Sequence, residues 1–173
     1  MTDFALRPWE EADAASLVRC ADDPGIAANL RDVFPSPYGL PDAEWFIRDC
    51  MAREGTGQLC RAIVVGGEAV GSISVLRGAD VYRKSAEIGY WLGRDFWGQG
   101  LTTEAVKRMC REAFEAWDIV RIHAEVFAPN AASRRVLEKA GFSLEGTRRT
   151  AVYKNGQVLD ACVYALLREE IEP

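Results

Sequence analysis

The stretch Phe96-Trp97-Gly98-Gln99-Gly100-Leu101-Thr102-Thr103-Glu104 decides how the chain reads, because it joins an apolar run to the best amphipathic segment in the sequence. Ahead of it, Glu87 to Leu92 (EIGYWL) has the composition of a strand. Behind it, Ala105, Val106, Met109, Cys110, Ala113, Phe114 and Trp117 recur at helical spacing, while Glu104, Lys107, Arg108, Arg111, Glu112 and Glu115 fill the opposite face. The order is strand, glycine turn, helix. The first turn of such a helix carries backbone N–H groups without intrahelical partners, and the macrodipole adds partial positive charge there. A phosphate satisfies both. Gly98 and Gly100 lack a Cβ, so a ligand can approach the backbone and the loop can take positive φ. The competing reading is a glycine-containing turn that holds no ligand.

Two familiar phosphate loops do not fit. A P-loop ends in Gly-Lys followed by Ser or Thr, and here Gly100 is followed by Leu101. A dinucleotide fingerprint needs G-x-G-x-x-G directly after the first strand, and Thr103 stands where the third glycine belongs.

Working outward, the 173 residues suit one domain, residues 1–173, with a sizeable core. Apolar residues at 49% and charged residues at 27% are those of a globular chain. The net charge of -5, without a long basic cluster, argues against a nucleic-acid surface. No apolar run approaches the roughly 18 residues of a membrane span. Met1 to Glu10 lacks the basic start and apolar core of a leader, so the expected location is the cytoplasm, without membrane partners. Five cysteines (Cys20, Cys50, Cys60, Cys110, Cys162) show no C-x-x-C spacing and read as reduced packing residues. With His123 as the only histidine, both a Cys–His nucleophile and a metal site are poorly supported.

The remaining pattern is regular. A first strand is expected over Phe4–Trp9 and a helix over Glu11–Cys20, broken by Asp22-Asp23-Pro24-Gly25. A second helix is expected from Pro41-Asp42 with Asp42 as N-cap, carrying Trp45, Phe46 and Met51. Gln58–Val65 and Ala69–Leu76 form a hairpin across Gly66-Gly67. After the fourth strand, Ala86–Leu92, and the glycine-loop helix come a strand at Ile119–Phe127 and a helix at Asn130–Ala140, stopped by Gly141. Two last strands flank Asn155-Gly156.

The run from Trp97 to Glu104 (W-G-x-G-x-x-T-E) resembles the pyrophosphate loop of the GNAT superfamily of N-acetyltransferases, in the branch that acetylates ribosomal-protein N-termini. Trp97 and Thr102 depart from the superfamily's commonest form. Glu125 to Phe142, with Asn130, Ser133 and Gly141-Phe142, is similar to the next strand and helix of that family. The resemblance spans nearly the whole chain. It implies a mixed α/β, three-layer fold: a mostly antiparallel sheet of about seven strands, splayed between the fourth and fifth, with about four helices.

The resemblance further implies acetyl-CoA as acyl donor, no metal, and direct attack by a primary amine through a tetrahedral intermediate. The pyrophosphate would lie on Trp97, Gly98, Gln99, Gly100, Leu101, Thr102 and Thr103. The pantetheine would pair with the edge of Tyr90, Trp91 and Leu92 and meet Asn130, itself readable as a plain helix cap. The Leu92 N–H would stabilise the oxyanion. Ser133 is the candidate acid for the leaving thiolate, or a small residue packed beside the cofactor. Asn29, Arg31, Phe34 and Tyr38 look like the acceptor side, holding a protein N-terminus or a small-molecule amine, or else a rigid connection on the sheet.

For the base, strand alternation sets Arg121, His123, Glu125 and Phe127 on one face and Ile122, Ala124 and Val126 on the other. Glu125 is preferred, five residues before Asn130, with His123 and Glu87 as rivals and an Arg121–Glu125 or Glu87 ion pair as the structural alternative. A CoA-binding sensor without transfer activity stays open, as does monomer against homodimer.

Overall fold

Alternation along the strands and helical periodicity between them sort the apolar residues into two cores, one on each face of a single sheet. The computed structural model describes residues 3–171. Met1, where the leader reading begins, lies outside them, as do Thr2, Glu172 and Pro173. The elements are β1 (Ala5–Arg7), α1 (Ala14–Ala21), α2 (Pro24–Ala27), α3 (Leu40–Arg53), β2 (Gln58–Val65), β3 (Glu68–Arg77), β4 (Ser85–Leu92), α4 (Leu101–Ala116), β5 (Arg121–Phe127), α5 (Ala131–Lys139), β6 (Ser143–Lys154) and β7 (Gln157–Leu167). The sheet runs β1-β2-β3-β4-β5-β7-β6, antiparallel except for β4 and β5. That parallel pair is short. Ser85–Glu87 align with Arg121–His123, and beyond them the two strands part.

The apolar stripe of α4 is the one its spacing predicts. Ala105, Val106, Met109, Cys110, Ala113 and Phe114 are buried against Ile73, Val75, Ile88 and Ile122, and Trp117 packs at the margin. On the other face, Leu17 of α1 and Ala43, Ile47 and Cys50 of α3 cover Cys60, Ala62 and Val64 of β2. Three layers result. Met109 is fully buried, so Met109→Ala is expected to destabilise the fold by about 2–5 kcal/mol, read as a lower midpoint in chemical denaturation.

The helices depart from the sequence reading at two places. α3 begins at Leu40 with Gly39 as its N-cap, and Asp42 sits in the first turn, where its carboxylate accepts the Gly39 N–H at 2.9 Å. Pro41 fits there because its missing N–H has no helical partner to lose. Trp45 and Met51 face outward, since the small residues Ala43 and Cys50 beside Ile47 let the helix lie close to the sheet. Asp22 to Gly25 does break the helix, α1 ending at Ala21, and the segment then opens the single turn α2, with the Asp23 carboxylate accepting the Gly25 N–H at 2.7 Å.

The turns follow glycine chemistry. Gly66 and Gly67 carry φ of 59° and 86°, and Asn155 and Gly156 of 49° and 76°, as tight hairpins with two left-handed residues require. β6 lies at the sheet edge, exposed along most of its length, and its register against β7 breaks between Leu144 and Gly146 and between Arg148 and Val152.

Candidate active site

The parting of β4 and β5 fixes where backbone polar groups are left open. The Gly78 N–H bonds the Ser85 carbonyl and the Gly93 N–H bonds the Val70 carbonyl, each at 2.8 Å. With the β3 register, odd-numbered residues of β4 therefore bond β3. The N–H groups of Tyr90 and Leu92 turn the other way, toward β5, where no described strand pairs beyond Glu87. The Leu92 carbonyl on that edge is taken by the Trp97 indole N–H at 2.7 Å. Tyr90 and Leu92 thus present donors into a wedge-shaped cleft. Leu92 and Leu101 are buried, so each can serve a ligand only through its backbone.

The glycine loop closes one end of this cleft. Gly98 and Gly100 have φ of 73° and 79°, and Gly100 is the N-cap residue of α4. A Cβ built on either meets nothing within 4 Å, so space lies open above the loop. The first-turn N–H groups of α4 emerge beside it, at Leu101, Thr102 and Thr103. Gln99 donates to the Asp95 carbonyl at 3.1 Å. Arg94 lies 4.9 Å over the Trp97 ring and forks onto Asp23 at 2.6 and 2.7 Å. That pairing holds the Asp23 carboxyl down at about 2 and ties α2 to the glycine loop.

Across the cleft, Asn130 caps α5, its Oδ1 accepting the Ser133 N–H at 3.2 Å. The Ser133 hydroxyl lies 2.9 Å from the Tyr90 phenol oxygen, a contact the sequence reading lacks. Alternation places the Tyr90 side chain with Ile88 and Leu92 toward α4 and α5, but nothing local names its partner. Cys110, on the same core side, has its thiol pushed up to about 12 by burial, which disfavours a thiolate nucleophile.

The opposite face of β5 carries the base candidates. Arg121, His123, Glu125 and Phe127 are half-buried there, and Ile122, Ala124 and Val126 are buried behind them. Their charges pair differently from the Arg121–Glu125 alternative. Glu125 takes Arg148 of β6 at 2.5 Å, Arg121 takes Glu145 at 2.5 Å, and Glu87 takes Arg31 at 2.6 Å. His123 Nδ1 is 3.4 Å from the Ser85 hydroxyl. A cavity of about 440 Å³ lies here, lined by Leu76, Tyr82, Ser85, Glu87, Arg121 and His123.

The segment after α2 crosses this face. Arg31 holds it to β4, and Lys154 of β6 holds it through Asp32 at 2.7 Å. The exposed Asn29 bonds back to the Gly25 carbonyl. The Phe34 ring stands 5.8 Å from Trp91 and 5.0 Å from Tyr38. Tyr38 is only 5% exposed and belongs to the core under α3, where its ring backs Phe34. Among the described residues, no group of three His, Cys, Asp or Glu side chains is placed to hold a metal.

Residues 3–143 match the family described as Acetyltransferase (GNAT) domain. The chain belongs to this GNAT acetyltransferase family. The matched range takes in the glycine loop, the cleft and Asn130, and ends as β6 begins. Arg148 and Lys154, which hold Glu125 and Asp32, lie beyond it.

The chain is 36% identical over 110 residues to the putative ribosomal N-acetyltransferase YdaF of Bacillus subtilis (strain 168), a match covering 64% of this chain and 60% of that relative. It is 30% identical over 168 residues to the uncharacterized N-acetyltransferase p20 of Bacillus licheniformis, covering 96% and 94%. Among solved structures, Mycobacterium smegmatis RimJ in complex with CoA-disulfide superposes with a TM-score of 0.88 at 27% identity, over 99% of this chain and 85% of that one.

Proposed function

We propose that residues 1–173 form one acetyltransferase domain that moves the acetyl group of acetyl-CoA to a primary amine, with a protein N-terminus as the leading acceptor class and small-molecule amines next. The observation that carries this is the continuity of the cleft. Open N–H groups on β4 run from the point of strand parting to the glycine loop at the head of α4. The open space above Gly98 and Gly100 fits a pyrophosphate, and the extended edge of Tyr90 to Leu92 fits a chain of amides. The bound donor supplies an activated thioester. The name of YdaF, a putative ribosomal N-acetyltransferase, supports the acceptor class.

In this reading the backbone from Gly98 to Thr103 holds the pyrophosphate, with Trp97 fixing the loop through the Leu92 carbonyl. Tyr90 and Asn130 position the pantetheine, and Trp91, whose backbone bonds β3, borders the acceptor side through its ring beside Phe34. The Leu92 N–H donates to the oxygen that gains charge as the amine attacks. Glu125 removes the proton from the acceptor nitrogen, directly or through a water, because an amine with pKa near 8 to 10 reaches the site mostly protonated. Ser133 faces the leaving sulfur. Phe34 and Arg31 border the acceptor entrance, and the protein acts in the cytoplasm as a monomer or homodimer, without nucleic acid. No described helix is long and apolar enough to cross a membrane.

The competing reading is a CoA-binding regulatory module, and the engagement of Glu125 by Arg148 is the observation in its favour. Thiol release from acetyl-CoA across a panel of primary amines, including peptides with ribosomal-protein N-termini, separates the two. Transfer requires at least one acceptor to raise the rate above the acceptor-free background. If none does while coenzyme A still binds, the regulatory reading replaces the enzyme.

A further inference from the structure

The phenol of Tyr90 crosses the cleft to α5, lying 2.9 Å from the Ser133 hydroxyl and 3.3 Å from the Ser133 carbonyl. It joins two elements 43 residues apart in sequence at the mouth where β4 and β5 separate. The other polar group of Ser133, its N–H, is already held by Asn130. A serine hydroxyl has one proton and two acceptor positions, so its direction of donation depends on what its neighbour offers. We propose that Tyr90 is a positioning residue for Ser133: the phenol donates to the serine oxygen and leaves the serine proton directed into the cleft, at the sulfur of the departing thiolate.

Burial pushes the phenol up to about 12, against the opposing pull of the Ser133 hydrogen bond, so it remains a donor at neutral pH. The groups facing it are Ser133, the Cys110 thiol and the Tyr164 phenol. Without Tyr90, the Ser133 hydroxyl is released to donate to its own helix, as serines near a helix start commonly do. Tyr90 also serves the cleft twice, since its backbone N–H lies on the open edge of β4 while its side chain fixes α5.

The inference rests on the acetyl-transfer reading. As the acceptor nitrogen bonds the acetyl carbon, the carbon–sulfur bond breaks and its electron pair goes to sulfur. The Ser133 O–H donates a hydrogen bond to that charge. The proton lost by nitrogen passes through Glu125 to solvent, and solvent returns one to sulfur, so the thiol forms without net loss from Ser133 or Tyr90.

The test is a double-mutant cycle with Tyr90→Phe and Ser133→Ala, assayed by thiol release with one good amine, alongside calorimetry of coenzyme A. Tyr90→Phe is expected to lower kcat about tenfold, as for one neutral hydrogen bond, with KM for acetyl-CoA unchanged. In the Ser133→Ala background the same change should have no further effect. Incorporating 4-aminophenylalanine at position 90, which keeps the ring and a donor, should restore most of the rate and gives a second measurement if Tyr90→Phe does not fold. Unchanged kcat in Tyr90→Phe, an equal further loss in the Ser133→Ala background, or no rescue overturns the inference alone. A wild-type protein without thiol release overturns the enzyme reading, and this inference with it.

Discussion

Gly100→Val is expected to weaken coenzyme A binding by about 100-fold or more while leaving a folded protein. Gly100 sits at φ of 79°, where a β-branched side chain is a steric outlier, and the left-handed conformation alone costs a non-glycine residue roughly 1–2 kcal/mol. The added Cβ meets no protein atom within 4 Å, so it enters the space above the loop. That is the space assigned to the pyrophosphate. If the loop instead relaxes to a negative φ, the first-turn N–H groups of α4 no longer converge, and charge-assisted hydrogen bonds of about 1.5–3 kcal/mol each are lost. Loss of two such bonds, about 3 kcal/mol or more, corresponds to about 100-fold at 1.4 kcal/mol per tenfold. Calorimetry on the folded variant is the check, and unchanged affinity removes the cradle assignment.

Glu125→Gln is the second large effect, with kcat/KM for the acceptor lowered by about 100-fold to 10,000-fold and coenzyme A affinity unchanged. Its position in the sheet is the reason. His123 is the register partner of Glu87, the last paired position of the two parallel strands, and so lies at the closed end of the wedge. Glu125 stands two residues further on, about 7 Å toward the open end. The Arg148 pair is half exposed, so its loss should change stability by about 1 kcal/mol or less, and a fall in rate then reports chemistry. His123→Gln should keep most of the activity. If His123→Gln alone loses rate, and the acidic limb of the pH–rate profile goes with it, the base is His123.

Local patterns carried most of the fold because they are local. The period of α4 fixed its buried face from Ala105 to Phe114, and Gly66-Gly67 and Asn155-Gly156 fixed two hairpins through the sign of φ. The glycine loop and the Asn130 cap were readable for the same reason, being short runs with one conformational demand each. The start of α3 was misread because Gly39, Pro41 and Asp42 all carry helix-start chemistry, and the choice among them depends on which residues reach the sheet.

Partner choice between distant elements left no mark on the sequence. Alternation put Glu125 on the right face, yet could not show that Arg148 would meet it, nor that Arg121 would take Glu145. Tyr90 and Ser133 were each singled out for separate reasons, and only the folded chain brings their hydroxyls together. Tyr38 was singled out as an aromatic residue in a prolyl loop, and its burial in the core beneath α3 was not legible there, because that depends on which distant residues cover it.

β6 ends the sheet with twelve residues whose outer hydrogen-bonding groups have no neighbouring strand among the described residues. An uncovered edge of that length is a template on which another chain can polymerise, and aggregation is the hazard such edges bring. The two register breaks divide it into short paired runs, and Glu145, Arg148 and Arg149 set charge along it. The same arginine that engages Glu125 therefore also guards the molecule's solubility, so a substitution at Arg148 made to free the carboxylate would remove a gatekeeper charge from the edge.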